Sequence, residues 1–185
     1  MIPLKRCDWC EGNELQLNYH DNEWGVPVYT DRLHFEFLLL ESMQSGLSWN
    51  TILMKRKNFR LAFDQFDYLK IAEYNETNIA ELLINEGIIR HRKKIESAIN
   101  NANKFIDIQK EYGSFNYYIW SFTDHKTIMN HYKTTKEVPS QTNLSDLISK
   151  DLRKKGFKFL GPVTVYSYLQ AVGIIDDHLD SCFKK

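Results

Sequence analysis

The sequence predicts an all-α fold, and three observations carry that reading. The longest patterned stretch, 88–112, places Ile89, Ile95, Ala98, Ile99, Ala102, Phe105 and Ile106 at helical spacing before a terminating Gly113. Further on, Pro162 stands at the favoured first position of a helix over 163–171 that stops at Gly173. No convincing strand pair, low-complexity tract or linker interrupts the chain.

The elements follow in order. Residues 7–30 hold Cys7, Trp9, Cys10, Tyr19, His20, Trp24 and Pro27 with little periodicity, so this segment reads as irregular around one short helix. Asp31 suits the N-cap of a helix running to about Gln44. A second helix starts near Ser48 and continues through Ile52-Leu53-Met54 to Phe63. Short helices follow near 67–73 and 77–85, then the long one. Ser114 caps another through Trp120, and 123–140 is polar and irregular. Asn143 opens a helix with Leu144, Leu147, Ile148 and Leu152 on one face, ended by Gly156. A short tail helix carries His178 and Cys182. The chain thus reads as one unit over 1–185: a central helical part at about 31–140, a hairpin at 144–173, and a lobe made by both termini.

Composition narrows the function classes. At 43% hydrophobic, the 185 residues suffice for a real core, and four Trp, ten Tyr and eleven Phe leave rings to spare for flat ligands. Lys+Arg and Asp+Glu balance at 24 each, so any basic surface for nucleic acid must be local. Met1-Ile2-Pro3-Leu4-Lys5-Arg6 contains no apolar signal region, and no apolar run is long enough to span a membrane. Three cysteines, an odd number, argue against a disulfide framework. These readings predict a cytoplasmic protein without membrane attachment.

Glu41 follows Leu38-Leu39-Leu40 directly, so its carboxylate is expected to be desolvated, which is rare unless the group is paired or used. A small, bendable segment with Ser42, Ser45 and Gly46 leads to Trp49. An acceptor beside a flat ring suits a flat ligand with a polar edge, such as a nucleobase. The bland alternative is a helix end with a solvated glutamate.

His178 and Cys182 are four apart and would share one face of a helix. Cys7, Cys10 and His20 lie at the other end of the chain. Two ligands from each terminus would form a closed Cys₂His₂-type zinc site, structural because no position is left for water. Cys7 and Cys10 both qualify, or Cys10 is spare. A redox Cys-x-x-Cys lacks the βαβ context it needs.

Between the last two long helices lies Gly156-Phe157-Lys158-Phe159-Leu160-Gly161, with Arg153, Lys154 and Lys155 just before it. A Gly-bounded turn leading into a helix start presents amide N–H groups to an anion, here a DNA phosphate. The runs Lys55-Arg56-Lys57 and Arg90-His91-Arg92-Lys93-Lys94 are taken as solvated faces.

Five stretches together resemble one family. Tyr19-His20-Asp21-Asn22-Glu23-Trp24-Gly25, Leu40-Glu41 with Gly46-Leu47-Ser48-Trp49, Ile88-Ile89-Arg90-His91-Arg92-Lys93-Lys94, the Gly156 to Gly161 hairpin and Asp177-His178 with Cys182 match, in order, motifs of the bacterial 3-methyladenine DNA glycosylase I family. That family is a branch of the helix-hairpin-helix DNA glycosylases. The resemblance implies an all-α enzyme whose two termini are joined by one structural zinc, with Cys7, His20, His178 and Cys182 as ligands. Cys10 is extra to the family pattern. It also implies a base pocket with Glu41 on the base edge, Tyr19 and Trp49 against its faces, and Trp9 and Trp24 as walls. Gln16 stands where family members carry another pocket tyrosine. The gap left by a flipped nucleotide would be plugged from Gln44 through Gly46 to Leu47, with Leu47 as the apolar wedge. Gly156, Lys158 and Gly161 would hold the DNA backbone.

The implied reaction is monofunctional hydrolysis, releasing 3-methyladenine from alkylated double-stranded DNA. The implied protein is a bacterial, cytoplasmic monomer. N3-methylated adenine is cationic in the nucleotide and already a good leaving group, so strong acid catalysis is unnecessary. Glu41 would then serve selection and binding more than rate. Asp176 and Asp177 are read as supporting a metal ligand or facing solvent. Two rivals remain: a non-catalytic DNA-binding module, and a hydrolase with a catalytic zinc.

Overall fold

The computed structural model describes residues 4–185; Met1, Ile2 and Pro3, which open the segment read as lacking a signal region, lie outside the described residues. Among the described residues the chain forms nine α-helices. These are α1 (Glu14–Asn22), α2 (Asp31–Gln44), α3 (Trp49–Ala62), α4 (Tyr68–Ala72), α5 (Glu76–Ile84), α6 (Arg92–Tyr112), α7 (Phe115–Ser121), α8 (Asn143–Lys154) and α9 (Pro162–Ala171). The all-α expectation holds. None of these helices is long and apolar enough to cross a membrane.

Helix starts are chemically specified. Asn13, Ser48, Ser114 and Thr142 each accept a backbone N–H two or three residues into the helix they precede. Each such cap satisfies an open donor and is worth about 1 kcal/mol. Pro162 begins α9 and Gly113 follows α6, as expected.

The one short helix expected within 7–30 is α1. The structure differs from the sequence reading in four places. Asp31 is the first residue of α2 and not its cap; its carboxylate instead accepts Phe115 N–H (3.0 Å) and Asn116 N–H (2.8 Å), capping α7. The helical pattern read from Ile88 becomes helix only at Arg92, because His91 is extended and turns its ring onto the Lys94 N–H. The tail helix is absent: residues 177–185 form turns. Finally, β1 (Ile128–Met129) pairs in parallel with β2 (Ile175–Asp176), inside stretches read as strand-free. The last two corrections share a cause. Asp180 N–H bonds to Tyr132 O and Phe183 N–H to Lys5 O, so distant carbonyls satisfy donors that a tail helix would have used.

α2 is the centre of the fold. All ten residues His34 to Met43 are buried, so the helix has no solvent face, and it packs against α3, α6, α7 and α9. Glu36 is accommodated there by Arg56 Nε and Arg60 Nη2, both at 2.7 Å, and Arg56 also reaches Glu23. The Lys55-Arg56-Lys57 run is therefore not a uniformly solvated face: its middle member is turned inward.

Candidate active site

Where α2 surfaces, a cavity of about 240 Å³ opens between Glu41 and Gln44, Trp49 at the start of α3, Tyr19 of α1, and Trp9 and Trp24. That exceeds the ~150 Å³ cavity that admits benzene, so a flat heterocycle fits. The rings form walls at steep angles. Tyr19 and Trp49 lie 5.2 Å apart between centroids at 50°, and Trp9 and Trp24 lie 5.0 Å apart at 74°. Sequence reasoning thus placed all five residues that it assigned to the pocket around one cavity. Gln16 does not line it; its Nε2 donates to Trp9 O (3.3 Å) and ties the Trp9 segment to α1.

Three buried side-chain polar atoms among the described residues lack a hydrogen-bond partner: Glu41 Oε2, Trp49 Nε1 and His178 Nε2. The first two belong to the cavity lining. A buried acceptor and a buried donor each left open cost about 1–3 kcal/mol. Burial pushes the Glu41 carboxyl up to about 8. The same burial, with Glu41 as a secondary cause, holds the Tyr19 hydroxyl well above its ordinary value.

The facing wall was not foreseen. Gln170 and Asp177 line it, and Asp177 is neither solvent-facing nor next to the metal ligands in role. Its carboxylate accepts from the Tyr166 hydroxyl, Gln170 Nε2 (2.7 Å) and Asn130 Nδ2 (2.8 Å), so both oxygens are occupied. Asp176 Oδ1 accepts the His178 N–H at 2.9 Å and sits 2.8 Å from His178 Nδ1.

Behind the Cys7 and Trp24 side of the cavity is a cluster of ligand atoms. One from each of Cys7, His20 and Cys182 lies within 4.8 Å of the others, all three residues buried. His178 stands beside this group, its ring 5.1 Å from that of His20. Both histidines place Nδ1 at 2.8 Å from a carboxylate, Asp21 for His20 and Asp176 for His178. That arrangement fixes the ring and leaves Nε2 for a metal. His20 Nε2 is 3.5 Å from Cys182 Sγ, and His178 Nε2 is the third unpaired atom. Cys7, His20 and Cys182 could thus hold a metal ion, with the open His178 Nε2 beside them. Cys10 is outside the cluster, its thiol donating to Cys7 O at 3.0 Å. The His178 and Cys182 pair meets the cluster region through turns and not along one helix face. Gly25 permits this: at φ +75° it lies so close to His178 that a Cβ would stand 2.6 Å from Cε1.

Gln44 to Leu47 form a tight turn closed by Leu47 N–H to Gln44 O (2.6 Å). Ser45 at φ −43°, ψ 116° followed by Gly46 at φ +81° is the backbone of a type II turn, which demands glycine in that third position. Leu47 is exposed at its tip. Elsewhere, α8 and α9 pack as a pair joined by the Gly156 to Gly161 turn. Arg153, Lys154 and Lys158 are exposed there, whereas Lys155 turns back to Glu111 at 2.9 Å. Gly161 starts α9 without a side-chain cap.

The methyladenine glycosylase family model matches residues 9–185. DNA-3-methyladenine glycosylase 1 of Escherichia coli (strain K12) is 42% identical over 179 residues, covering 97% of this chain and 96% of that protein. A solved structure of 3-methyladenine DNA glycosylase I superposes with a TM-score of 0.94 at 44% identity, covering 97% of this chain and 98% of that one. A variant of 3-methyladenine DNA glycosylase I solved in complex with 3-methyladenine also gives 0.94, at 38% identity and 97% of each chain.

Proposed function

This chain belongs to the methyladenine glycosylase family and is a glycosylase of that class, and from that premise we propose that it releases 3-methyladenine from alkylated double-stranded DNA by hydrolysis. The observation that carries the reading is the pair of unpartnered buried atoms, Glu41 Oε2 and Trp49 Nε1, in an aromatic-walled cavity. A purine carrying an amino group and a positive charge answers the carboxylate. Tyr19 and Trp49, tilted at 50° to each other, offer it adjoining aromatic surfaces and do not sandwich it, and Trp9 and Trp24 exclude water around it.

The duplex would be gripped at the hairpin by Lys158 and by the open amides leading into α9 at Gly161. The turn from Gln44 to Leu47 fills the space that the extruded nucleotide leaves. Water bonds to C1′ as the glycosidic electron pair neutralises the charged base; the product is neutral 3-methyladenine, and the water proton passes to solvent. Cys7, His20, His178 and Cys182 would hold a zinc ion. Bound there, it supplies a cross-link between the termini, and a closed ligand set leaves the chemistry to the cavity. The same reading has the protein working as a monomer in the bacterial cytoplasm.

The test is incubation with methylated duplex DNA and chromatography of the released bases. Free 3-methyladenine is the expected product; DNA binding without release would favour the non-catalytic module. Borohydride in the same mixture should trap no enzyme–DNA adduct, since no lysine lines the cavity. A trapped adduct would overturn water as the attacking group.

For the hairpin, Lys158→Ala should weaken binding equally on any sequence and lower the log–log salt slope by roughly one phosphate contact. Its side chain is exposed, so folding should be unaffected. A titration at several salt concentrations reads this directly, and an unchanged slope removes Lys158 from the contact set.

A further inference from the structure

Lys94 closes a basic run, yet its side chain is buried. Its Nζ donates to Met43 O at 2.8 Å and to Ser45 O at 2.7 Å. Met43 is in the last turn of α2, where carbonyls lack helical partners, and Ser45 is the second residue of the plug turn. A cation there also complements the negative end of the α2 dipole. Among the described residues no other side chain bonds to the backbone of this turn, whose Ser45, Gly46 and Leu47 are all exposed. Beyond its own closing bond from Leu47 N–H to Gln44 O, the turn is thus tied to the rest of the fold through an ammonium from a different helix.

Seven residues further along α6 is Asn101, also buried. Its amide clasps one residue of the hairpin from both sides: Nδ2 donates to Lys158 O (2.9 Å) and Oδ1 accepts the Lys158 N–H (2.8 Å). Asn100 Nδ2 adds a bond to Gly156 O (2.9 Å). Seven residues are two helical turns, so Lys94 and Asn101 share one face about 10 Å apart. One helix therefore holds both the Gln44–Leu47 turn and the Gly156–Gly161 hairpin.

We propose that α6 is the common anchor that sets the plug in register with the hairpin, with Lys94 and Asn101 as positioning residues for base extrusion. The proposal rests on the DNA reading above. A phosphate grip defines where the duplex lies, and the plug extrudes a nucleotide only if it meets the stack at that place. The two turns are more than a hundred residues apart in sequence, and neither is bonded to the other. Their spacing is inherited from the rise of α6.

The experiment uses a duplex with a stable abasic analogue beside 2-aminopurine, whose fluorescence rises when the plug unstacks it. Free 3-methyladenine is titrated in parallel, and base release is followed under single turnover. Lys94→Met should leave free-base affinity and DNA affinity unchanged. It should lose most of the fluorescence rise and slow release at least ~10-fold, the scale of a small misplacement. Lys94→Arg should recover much of both. Asn101→Leu should weaken DNA binding and slow release, and the double variant should lose less than the two single effects combined, because both break one register. Where Lys94→Met does not fold, Lys94→Gln and Asn101→Leu carry the comparison. Wild-type unstacking by Lys94→Met overturns the proposal. So does a parallel loss of free-base binding, which would make Lys94 a support of the pocket alone. A wild-type protein that unstacks the probe but releases no 3-methyladenine overturns the substrate reading and leaves this one standing.

Discussion

His178→Ala should strip the protein of its metal and lower its thermal midpoint by roughly 10 °C or more. The expectation follows from what the two termini lack without an ion. His178 Nε2 is buried with no partner, and the ligand atoms of Cys7, His20 and Cys182 lie within 4.8 Å of one another with two long sulfur contacts, Leu179 N–H to Cys7 Sγ at 3.4 Å and Cys182 Sγ to His20 Nε2 at 3.5 Å. The residues of the set come from positions 7, 20, 178 and 182, so an ion there closes a loop of nearly the whole chain. At about 3–5 kcal/mol for such a cross-link, a chain of this length should shift by the stated amount. The measurements are metal content, expected at one zinc per chain, and melting with and without a chelator. Chelated wild type should melt like untreated His178→Ala. Cys10→Ser should keep its zinc, because that thiol is engaged with Cys7 O and not with the cluster. A metal-free preparation whose melting ignores both zinc and chelator would end the metal assignment. Activity lost on chelation with the fold intact would instead favour a catalytic ion.

The same comparison shows what kind of signal a sequence carries. Glu41 could be singled out because an acidic residue directly after three leucines is a local contradiction, and burial with an open oxygen is its structural form. Helix limits set by Ser48, Gly113, Ser114 and Pro162 were readable because caps and stops act within one turn. Lys94 and Arg56 were hidden for the opposite reason. Each sits in a run of charges, and what turns it inward is a partner 20 to 51 residues away. Gln170 gave no signal, and Asp177 was marked only as part of the Asp177-His178 motif, since their place in the cavity wall exists only once α9 and the β2 segment are packed. The spacing of His178 and Cys182 suggested a shared helix face; turns pinned by Lys5 and Tyr132 instead bring Cys182 into the cluster with Cys7 and His20 and set His178 beside it.

Glu41→Gln should give a folded, zinc-bound protein that still binds DNA nonspecifically but holds free 3-methyladenine poorly and releases it slowly from methylated DNA. In the empty cavity the wild-type carboxyl titrates at about 8 because burial disfavours its charge, so it is largely protonated at pH 7. A purine that is cationic in DNA reverses that preference: the carboxylate forms, its proton is released, and it accepts from the amino edge that unmodified adenine offers only in neutral form; the neutral free base reaches the same charge pair by taking the carboxyl proton. Glutamine keeps the shape and part of the hydrogen bonding and removes the charge. Discrimination against normal adenine should therefore fall with affinity. Stability should move the other way. Between the unfolded carboxyl value near 4.5 and the folded value near 8, the native state binds the extra proton, so this group's contribution falls as pH rises through that window and is lowest above it. Glu41→Gln removes that loss, and its advantage over wild type should be absent near pH 4 and reach on the order of 2 to 4 kcal/mol above pH 9. Melting curves across pH, base release, and a titration of free 3-methyladenine with its buffer-corrected proton exchange read all of this from two proteins. Equal affinity, equal release and parallel pH curves would show an ordinary helix-end glutamate and leave selection to Tyr19, Trp49 and the other rings.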